Sequence, residues 1–180
     1  MGFLKKFAIG LVGAVVLFVV IGLFLPREVS VSREALINAP PEKVFAHIND
    51  LKKWNAWSPW AQRDPNMQQT FSGPAEGLGQ KVVWTSDHDQ VGNGSQEIIE
   101  SVPGKTLRTA LDFGDMGTAK AAFDLEGFDG GTRVTWGFET DMGGNPLMRW
   151  MGLMMDGWIG ADYDAGLAAL KDVAEKDTGN

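Results

Sequence analysis

The chain has 180 residues, no cysteine, and a formal net charge of −7 from 23 acidic and 16 basic side chains. Two of the basic residues, Lys5 and Lys6, precede a long apolar segment, so the rest of the chain is more acidic still. Such a surface repels nucleic acid, and we expect no nucleic-acid partner. The lack of cysteine excludes disulfides, thiol catalysis and thiolate zinc sites. Residues 27–180 are a typical size for one domain with one core.

The first element is an apolar segment at residues 7–25, which carries no charge and is rich in Val, Leu, Ile and Phe. As a helix at about 1.5 Å per residue, this segment spans roughly the 30 Å hydrocarbon layer of a bilayer. A core helix of a soluble domain would show a polar stripe, and this segment is apolar all round. The pattern predicts a membrane anchor over residues 1–26, followed by a globular domain over residues 27–180.

The orientation of this anchor follows from its flanking charges. Lys5 and Lys6 favour a cytoplasmic N-terminus by the positive-inside rule, although Arg27 and Arg33 reduce the asymmetry. We expect a single-pass protein of the inner (plasma) membrane, with the domain periplasmic or extracellular. A cleaved signal peptide is the alternative, but the apolar run is long for one and residues 22–26 offer no A-x-A cleavage site.

The domain begins with a strand and a helix. The alternation from Val29 to Ile37 predicts the strand, and the prolines that follow open a helix from Pro41 to about Leu51. Six short segments with alternating polarity, separated by Gly, Asn and Asp, then predict strands at 67–71, 80–85, 95–101, 107–113, 119–125 and 132–140. Hairpin-length connections between these strands predict an antiparallel meander, so the complete sheet has seven strands.

The last predicted element is a long helix with Asn145 as its N-cap, which runs toward Glu175. It is long enough to cover the apolar face of the sheet. Each glycine in a helix interior costs about 1 kcal/mol relative to alanine, so a helix with four of them needs a reason. Close packing, a kink or room for a ligand would each explain the four, which are Gly152, Gly157, Gly160 and Gly166.

Short motifs along these elements carry a family resemblance. They are Ile37-Asn-Ala-Pro-Pro-Glu-Lys-Val-Phe45, Trp54-Asn-Ala-Trp57-Ser-Pro59, Gly131-Thr-Arg-Val-Thr-Trp136, and Ile159-Gly160 followed by Gly166-Leu167. In this order, from Val29 to Glu175, the chain resembles the START-like helix-grip superfamily, in the polyketide cyclase/dehydrase and lipid-transport branch often called SRPBCC proteins. The resemblance implies an α+β helix-grip fold, a seven-stranded curved antiparallel sheet wrapped around a long C-terminal helix, here preceded by one transmembrane helix. It also implies a cavity between sheet and helix for lipids, sterols, polyketides or other apolar molecules.

Aromatic and methionine side chains are the candidates to line such a cavity. The tryptophans after the first helix lie in the region that flanks the cavity mouth in this fold, although they equally suit the packing of a short helix. Strand alternation places three further aromatic residues on the concave face, where they contact a ligand or fill the core. Methionines in the last helix suit an adaptable pocket or plain core packing. The predicted ligand-binding residues are Trp57, Trp60, Trp84, Phe113, Trp136, Met151, Met155 and Trp158.

No set of residues indicates a reaction or a metal. The two histidines, His47 and His88, have no partners at ligand spacing, so we predict no metal site, cofactor or catalytic triad. Asp87 and Asp89 flank His88 between two strands and could act as acid or base, but a polar hairpin loop explains them equally. Members of the family that are enzymes share no catalytic motif, and we assign no catalytic residue.

Three functions are compatible with these features. The leading hypothesis is membrane-anchored binding of a lipid or another apolar small molecule. The second is an enzyme of the cyclase or dehydratase type acting on such a ligand, which requires an inward acid or base with a perturbed pKa. The third is a protein-interaction module whose cavity is vestigial and filled by its own side chains.

Overall fold

The computed structural model describes residues 2–177. Two short 3-10 turns, at Lys53–Ala56 and Gly114–Met116, accompany the regular elements. The helices are α1 (Gly2–Phe24), α2 (Pro41–Ile48), α3 (Pro59–Arg63), α4 (Pro146–Gly152) and α5 (Met155–Lys176). The strands are β1 (Glu28–Ile37), β2 (Gln68–Ser72), β3 (Lys81–Thr85), β4 (Gly94–Val102), β5 (Thr106–Asp112), β6 (Thr118–Phe128) and β7 (Gly131–Asp141).

All seven strands form one antiparallel sheet in the order β1-β7-β6-β5-β4-β3-β2. Strands β2 to β7 follow each other as hairpins, and β1 joins the far edge by pairing with β7. In that pair Val31 lies opposite Phe138. The predicted α+β helix-grip fold, with a curved antiparallel sheet and a C-terminal helix, is confirmed.

The register shows which end of the sheet lies next to α1. Strand β1 starts at Glu28, just after α1 ends, and Glu28 pairs with Asp141 at the end of β7. Because every neighbour is antiparallel, β5 and β3 also finish at this end and β6 and β4 begin there. The loops 86–93 and 113–117 therefore lie at the same end, which we call the α1-proximal end.

The core lies between the concave face of the sheet and α5. Alternation along β7 buries Val134, Trp136 and Phe138 completely or nearly so, while the residues between them face outward. From α5, Tyr163 and Leu167 pack into the same core. Helix α2 closes one side with an apolar face built on Val44, Phe45 and Ile48.

The predicted C-terminal helix is divided in two, which corrects the expectation of one continuous helix from Asn145. Asn145 does cap a helix, because its side-chain Oδ1 accepts a hydrogen bond of 3.0 Å from the N–H of Leu147. That helix is the short α4, and tight i to i+3 bonds to Leu153 and Met154 end it before α5 begins. Such bonds tighten a last turn and let the chain change direction.

Three of the four helix glycines are explained by close packing. A Cβ atom at Gly152 would lie 2.9 Å from Cγ2 of Val29, and one at Gly166 would lie 2.7 Å from the Trp136 ring. At Gly160 the space is filled by the guanidinium group of Arg33. Gly157 has no neighbour within 4 Å, so no packing contact requires it.

Helix α1 is apolar along its whole length, with a mean hydropathy of 2.9 in its most apolar window. By length and composition it is able to cross a membrane, and an N-terminal signal sequence has the same properties. Gly22 is its one buried residue among those described. That residue lies against α4, which is the element of the domain that packs along α1.

Candidate functional site

An apolar cavity of about 260 Å³ lies between α3, the concave face of the sheet and the first half of α5. Its wall is formed by the 3-10 turn and α3 on one side, by β3 to β7 below, and by Ile159 and Tyr163 of α5. The alternation of the strands and the apolar face of α5 turn these side chains to the same interior space.

The inner wall is aromatic. Trp136 stacks on Tyr163 with ring centroids 3.8 Å apart and planes 10° from parallel. Trp60 from α3 approaches both rings edge-on, at 6.1 and 6.4 Å. Each ring is held by its neighbours, so a ligand here meets a rigid and apolar surface rather than a deformable one.

The cavity reaches solvent at the α1-proximal end of the sheet. Trp84 and Phe113, at the ends of β3 and β5, meet edge-to-face at 6.1 Å and line this part of the wall. Beyond them the rim consists of Asp89 and Gln90 in the β3–β4 loop and of Met116 in the β5–β6 loop, all of which are exposed. The mouth therefore faces the same side of the domain as α1.

Few polar groups line the interior. Gln96 donates to Thr109 over 2.9 Å, which satisfies one buried pair. The indole N–H of Trp136 is buried and has no hydrogen-bond partner among the described residues. Burial raises the pKa of Tyr163 well above its ordinary value, so its hydroxyl stays protonated and neutral.

The cover formed by the 3-10 turn and α3 is fixed to the domain. Trp54 and Trp57 donate their indole N–H groups to the carbonyls of Ile48 and His47 at the end of α2, over 2.8 and 3.2 Å. Arg63 of α3 makes a two-bond ion pair with Asp162 of α5, and this hydrogen bonding raises the pKa of Arg63. The cover is thus an anchored part of the core.

The structure brings half of the predicted binding residues together. Trp60, Trp84, Phe113 and Trp136 line the cavity. Trp57 is fully buried beneath it, with its ring against Phe123 and its N–H on α2. The residues that were predicted and do not line the cavity are Trp57, Met151, Met155 and Trp158.

The helix break explains why the three residues from the C-terminal helices lie elsewhere. Met151 belongs to α4, before the break, and it is exposed. Trp158 follows the break and is 51% exposed. Met155 packs against the edge of the core.

Sequence reasoning missed several lining residues, above all Tyr163. The signal for it was present, because Tyr163 lies four residues after Ile159 on one helix face and is the chain's single tyrosine. Phe138 could have been found as well, since it alternates with Trp136 along β7. Trp54 lines the cavity beside Trp60, but spacing alone does not separate it from Trp57.

In the β3–β4 loop, which was considered for acid–base chemistry, the polar side chains form local hydrogen bonds that stabilise the loop conformation. Ser86 donates to Asp64 over 2.5 Å and accepts from the backbone N–H of His88. Nδ1 of His88 accepts from the N–H of Gln90 over 3.1 Å. Within residues 2–177, no three His, Asp or Glu side chains are placed to hold a metal ion.

A larger groove, of about 860 Å³, crosses the outer face of the sheet, and most of its lining residues are polar or charged. Its floor carries charges of alternating sign, because Lys81 pairs in register with Glu97, and Lys120 with Glu139. Opposite charges at facing positions stabilise the strand pairs themselves. We therefore assign the candidate site to the apolar cavity between α3, the sheet and α5.

Residues 28–175 match the sequence profile of a family described as polyketide cyclase / dehydrase and lipid transport. The chain belongs to this family. The match covers all seven strands and nearly all of α5, so the resemblance seen in the short motifs is confirmed. The family unites ligand carriers and enzymes on one fold, so membership alone does not decide between them.

Solved structures share the fold at low identity. Protein SA2116 of unknown function from Staphylococcus aureus aligns with a TM-score of 0.64 and 10% identity, over 85% of this chain and 97% of that one. A putative uncharacterized protein from Rhizobium leguminosarum aligns with a TM-score of 0.60 and 15% identity, over 83% and 95%. The di-domain ARO/CYC StfQ from the steffimycin biosynthetic pathway aligns with a TM-score of 0.63 and 10% identity, over 85% of this chain and 52% of StfQ.

These likenesses establish the fold alone, because all three identities are far too low to carry function. The chain spans about half the length of StfQ. A search of curated protein sequences found no match.

Proposed function

We propose that this protein is a membrane-anchored binding protein that holds a lipid or another apolar small molecule in the cavity between the sheet and α5. The observation that carries this proposal is the cavity of about 260 Å³, with an aromatic wall and an opening at the α1-proximal end. A ligand that partitions into the bilayer would reach this mouth without crossing open water.

The anchor in this proposal is α1, with residues 1–26 as the membrane segment and residues 27–180 as the ligand-binding domain. Lys5 and Lys6 favour a cytoplasmic N-terminus, which would put the domain on the opposite side of the inner membrane. The packing of α1 on α4 supports a retained anchor rather than a cleaved signal, because cleavage would expose Trp150 and Pro146.

The size of the cavity limits the ligand. Its volume lies slightly below the range of about 300–1,000 Å³ that is typical of small-molecule pockets. It suits a compact ring system or a single chain, with any larger part of a lipid left outside the mouth.

An enzyme of the cyclase or dehydratase type is the second candidate, and Tyr163 is the observation that favours it. Tyr163 lines the cavity, and its hydroxyl, kept neutral because burial raises its pKa, is able to donate a hydrogen bond to a bound carbonyl. The carrier remains our first choice, because the remaining titratable side chain of the wall, Asp89, lies on the exposed rim.

The test is native mass spectrometry with lipid extraction, on the full chain purified in mild detergent from its natural host. We expect a stoichiometric apolar ligand, and its recovery in chemically altered form after incubation would favour the enzyme. An empty protein that also fails to bind a fluorescent fatty-acid probe contradicts ligand binding. That result would favour the third function, an interaction module with a vestigial cavity.

A matched pair of variants links binding to this cavity. Ala61→Phe introduces a ring from α3 into the cavity, while Ala161→Phe adds the same ring to the exposed side of α5. We expect the first variant to lose most of the bound ligand and the second to retain it, because only the first occupies the ligand's volume. Equal ligand content in both variants would place the ligand elsewhere.

A further inference from the structure

Helix α4 lies along the last turns of α1. The ring of Trp150 stacks on that of Phe18 with centroids 5.0 Å apart and planes 9° from parallel. Its indole N–H donates to the carbonyl of Phe18 over 3.0 Å. A Cβ atom at Gly22 would lie 2.7 Å from Cβ of Pro146, so the two helices meet with a glycine at the closest point.

A single arginine fastens the end of α1 to α4. Arg149 donates to the carbonyls of Leu23 and Leu25 over 2.6 and 3.3 Å, and to Gly143 over 3.0 Å. The carbonyl of Leu23 lies in the last turn of α1, where carbonyl groups have no partner further along the helix, and a cation at a helix C-terminus is favourable. The one charged side chain of α4 therefore points to the helix exit and leaves the rest of α4 apolar.

The contacts with α1 fix the depth of α4. Phe18 precedes the end of α1 at Phe24 by six residues, which is about 9 Å along a helix axis. When α1 spans a bilayer with residues 7–25 across the hydrocarbon, the Trp150 ring therefore lies about 9 Å inside the hydrocarbon edge, and α4 lies at the depth of the outer acyl chains.

An apolar stripe extends from α4 onto the first turn of α5, on the side away from α1 and the core. Its spacing of three and four residues is that of one continuous face across the helix break. The side chains are exposed by between 37% and 55%. We call it the α4 stripe, and its residues are Leu147, Met151, Met154 and Trp158.

We propose that the α4 stripe docks on the lipid bilayer from which α1 emerges, as a second membrane contact of the domain. This inference rests on the proposed function, because it requires α1 to span the membrane. The packing of α4 against the last turns of α1 favours the bilayer over a protein partner as the molecule that the stripe contacts. A face held within about 10 Å of a transmembrane helix, at the depth of its last turns, meets lipid before it meets any other molecule.

The docking has a consequence for the ligand site. A single span leaves a domain free to rotate and tilt, whereas a span plus an interfacial helix fixes its orientation. Because the α1-proximal end of the sheet carries the cavity mouth, the fixed orientation turns the exposed side chain of Met116 on the rim toward the same membrane surface.

Site-directed spin labelling tests this docking directly, because the chain has no cysteine of its own. Single variants Met151→Cys and Met154→Cys, each carrying a nitroxide, are reconstituted as the full chain in phosphatidylcholine vesicles. We expect both labels to be several-fold more accessible to oxygen than to a water-soluble nickel chelate. Ala168→Cys, on an exposed part of α5 far from the stripe, is the matched control and should show the opposite preference.

A third label, Val15→Cys in the middle of α1, separates the two proposals. If this label is buried in lipid while the stripe labels behave like Ala168→Cys, the docking is wrong and the anchor stands. If the Val15 label also contacts water, both the anchor and the docking are wrong. Dipolar broadening at Met151 that disappears on dilution with unlabelled protein would show a second copy on the stripe, and this result too overturns docking on lipid.

Discussion

Trp136 is the residue on which the site and the core both depend. It stacks on Tyr163 on one side and on Phe123 on the other, the latter with centroids 4.8 Å apart. Trp57 and Trp60 meet it edge-on. Because its neighbours hold this ring in place, a residue that packs against it must be small enough not to overlap it.

Gly166 is the clearest example of such a residue. We expect Gly166→Ala to lower the free energy of unfolding by about 1–2 kcal/mol, because the new methyl group would lie 2.7 Å from the fixed Trp136 ring and overpacking outweighs the gain in helix propensity. Gly157→Ala is the control, since nothing lies within 4 Å of that site. It should stabilise by up to about 1 kcal/mol.

Thermal and urea unfolding of the full chain in detergent measures both variants. Equal stability of the two alanine variants would show that the helix relaxes around Gly166 and that the aromatic cluster is deformable.

Among the elements, α4 links α1 to the rest of the fold. Its N-cap at Asn145 and its tight final turn make it a separate element, and Gly152 allows it to pack against Val29 of β1. On its other side it contacts α1 through Trp150 and Arg149. A change in the α1 contact should therefore appear as exposure of α4.

The α1 contact can be opened from the α1 side with a matched pair of substitutions. Gly22→Leu places a side chain where Pro146 and Trp150 now lie, so we expect α4 to separate from α1 and release Arg149. Gly13→Leu makes the same change where no atom lies within 4 Å. Tryptic cleavage after Arg149 should become several-fold faster in the first variant and stay unchanged in the second. Equal cleavage rates would show that α4 is held without α1.

For the whole molecule, one ion pair holds the chain at the point where it passes from α1 into the sheet. Arg27 donates two hydrogen bonds to Asp141, of 2.6 and 2.5 Å. With further help from the N–H of Gly143, they lower the pKa of Asp141 from 3.8 to about 2. The pair closes the α1-proximal end of the β1–β7 ladder and thereby aligns α1 with the rest of the fold.

The depressed pKa of Asp141 sets the sign of a pH dependence. A carboxyl group whose pKa is lowered on folding contributes stability above its ordinary value of 3.8, and this contribution is lost as the pH falls through about 2. We expect Asp141→Asn to be less stable than the natural chain at neutral pH. The two chains should become equally stable as the pH falls through about 2, where Asp141 becomes protonated. The difference in stability should be modest, because the side chains of both Arg27 and Asp141 are exposed to solvent.

Unfolding midpoints of the two chains over this pH range provide the measurement. The variant Arg27→Gln should follow the same course, since it removes the same interaction. A difference between variant and natural chain that does not change with pH would show that the loss comes from packing rather than from the charge of Asp141.

The sequence by itself determined the order of the elements, the apolar helix, the meander and the inward face of each strand. These properties follow from periodicities of two and 3.6 residues and from the turn-forming residues between them, which are all local. For the same reason Trp84, Phe113 and Trp136 could be placed on the cavity wall, because each lies on or at the end of a regular strand.

Only the tertiary structure decided the division between α4 and α5, the separate positions of Trp54 and Trp57, and the contact of α4 with α1. In each case the deciding atoms come from distant parts of the chain. Gly152 packs closely against Val29, and Trp150 stacks on Phe18. The indole N–H groups of Trp54 and Trp57 donate to backbone carbonyls at the end of α2. Local pattern carries no information on such partners, because packing selects among faces that are equally apolar.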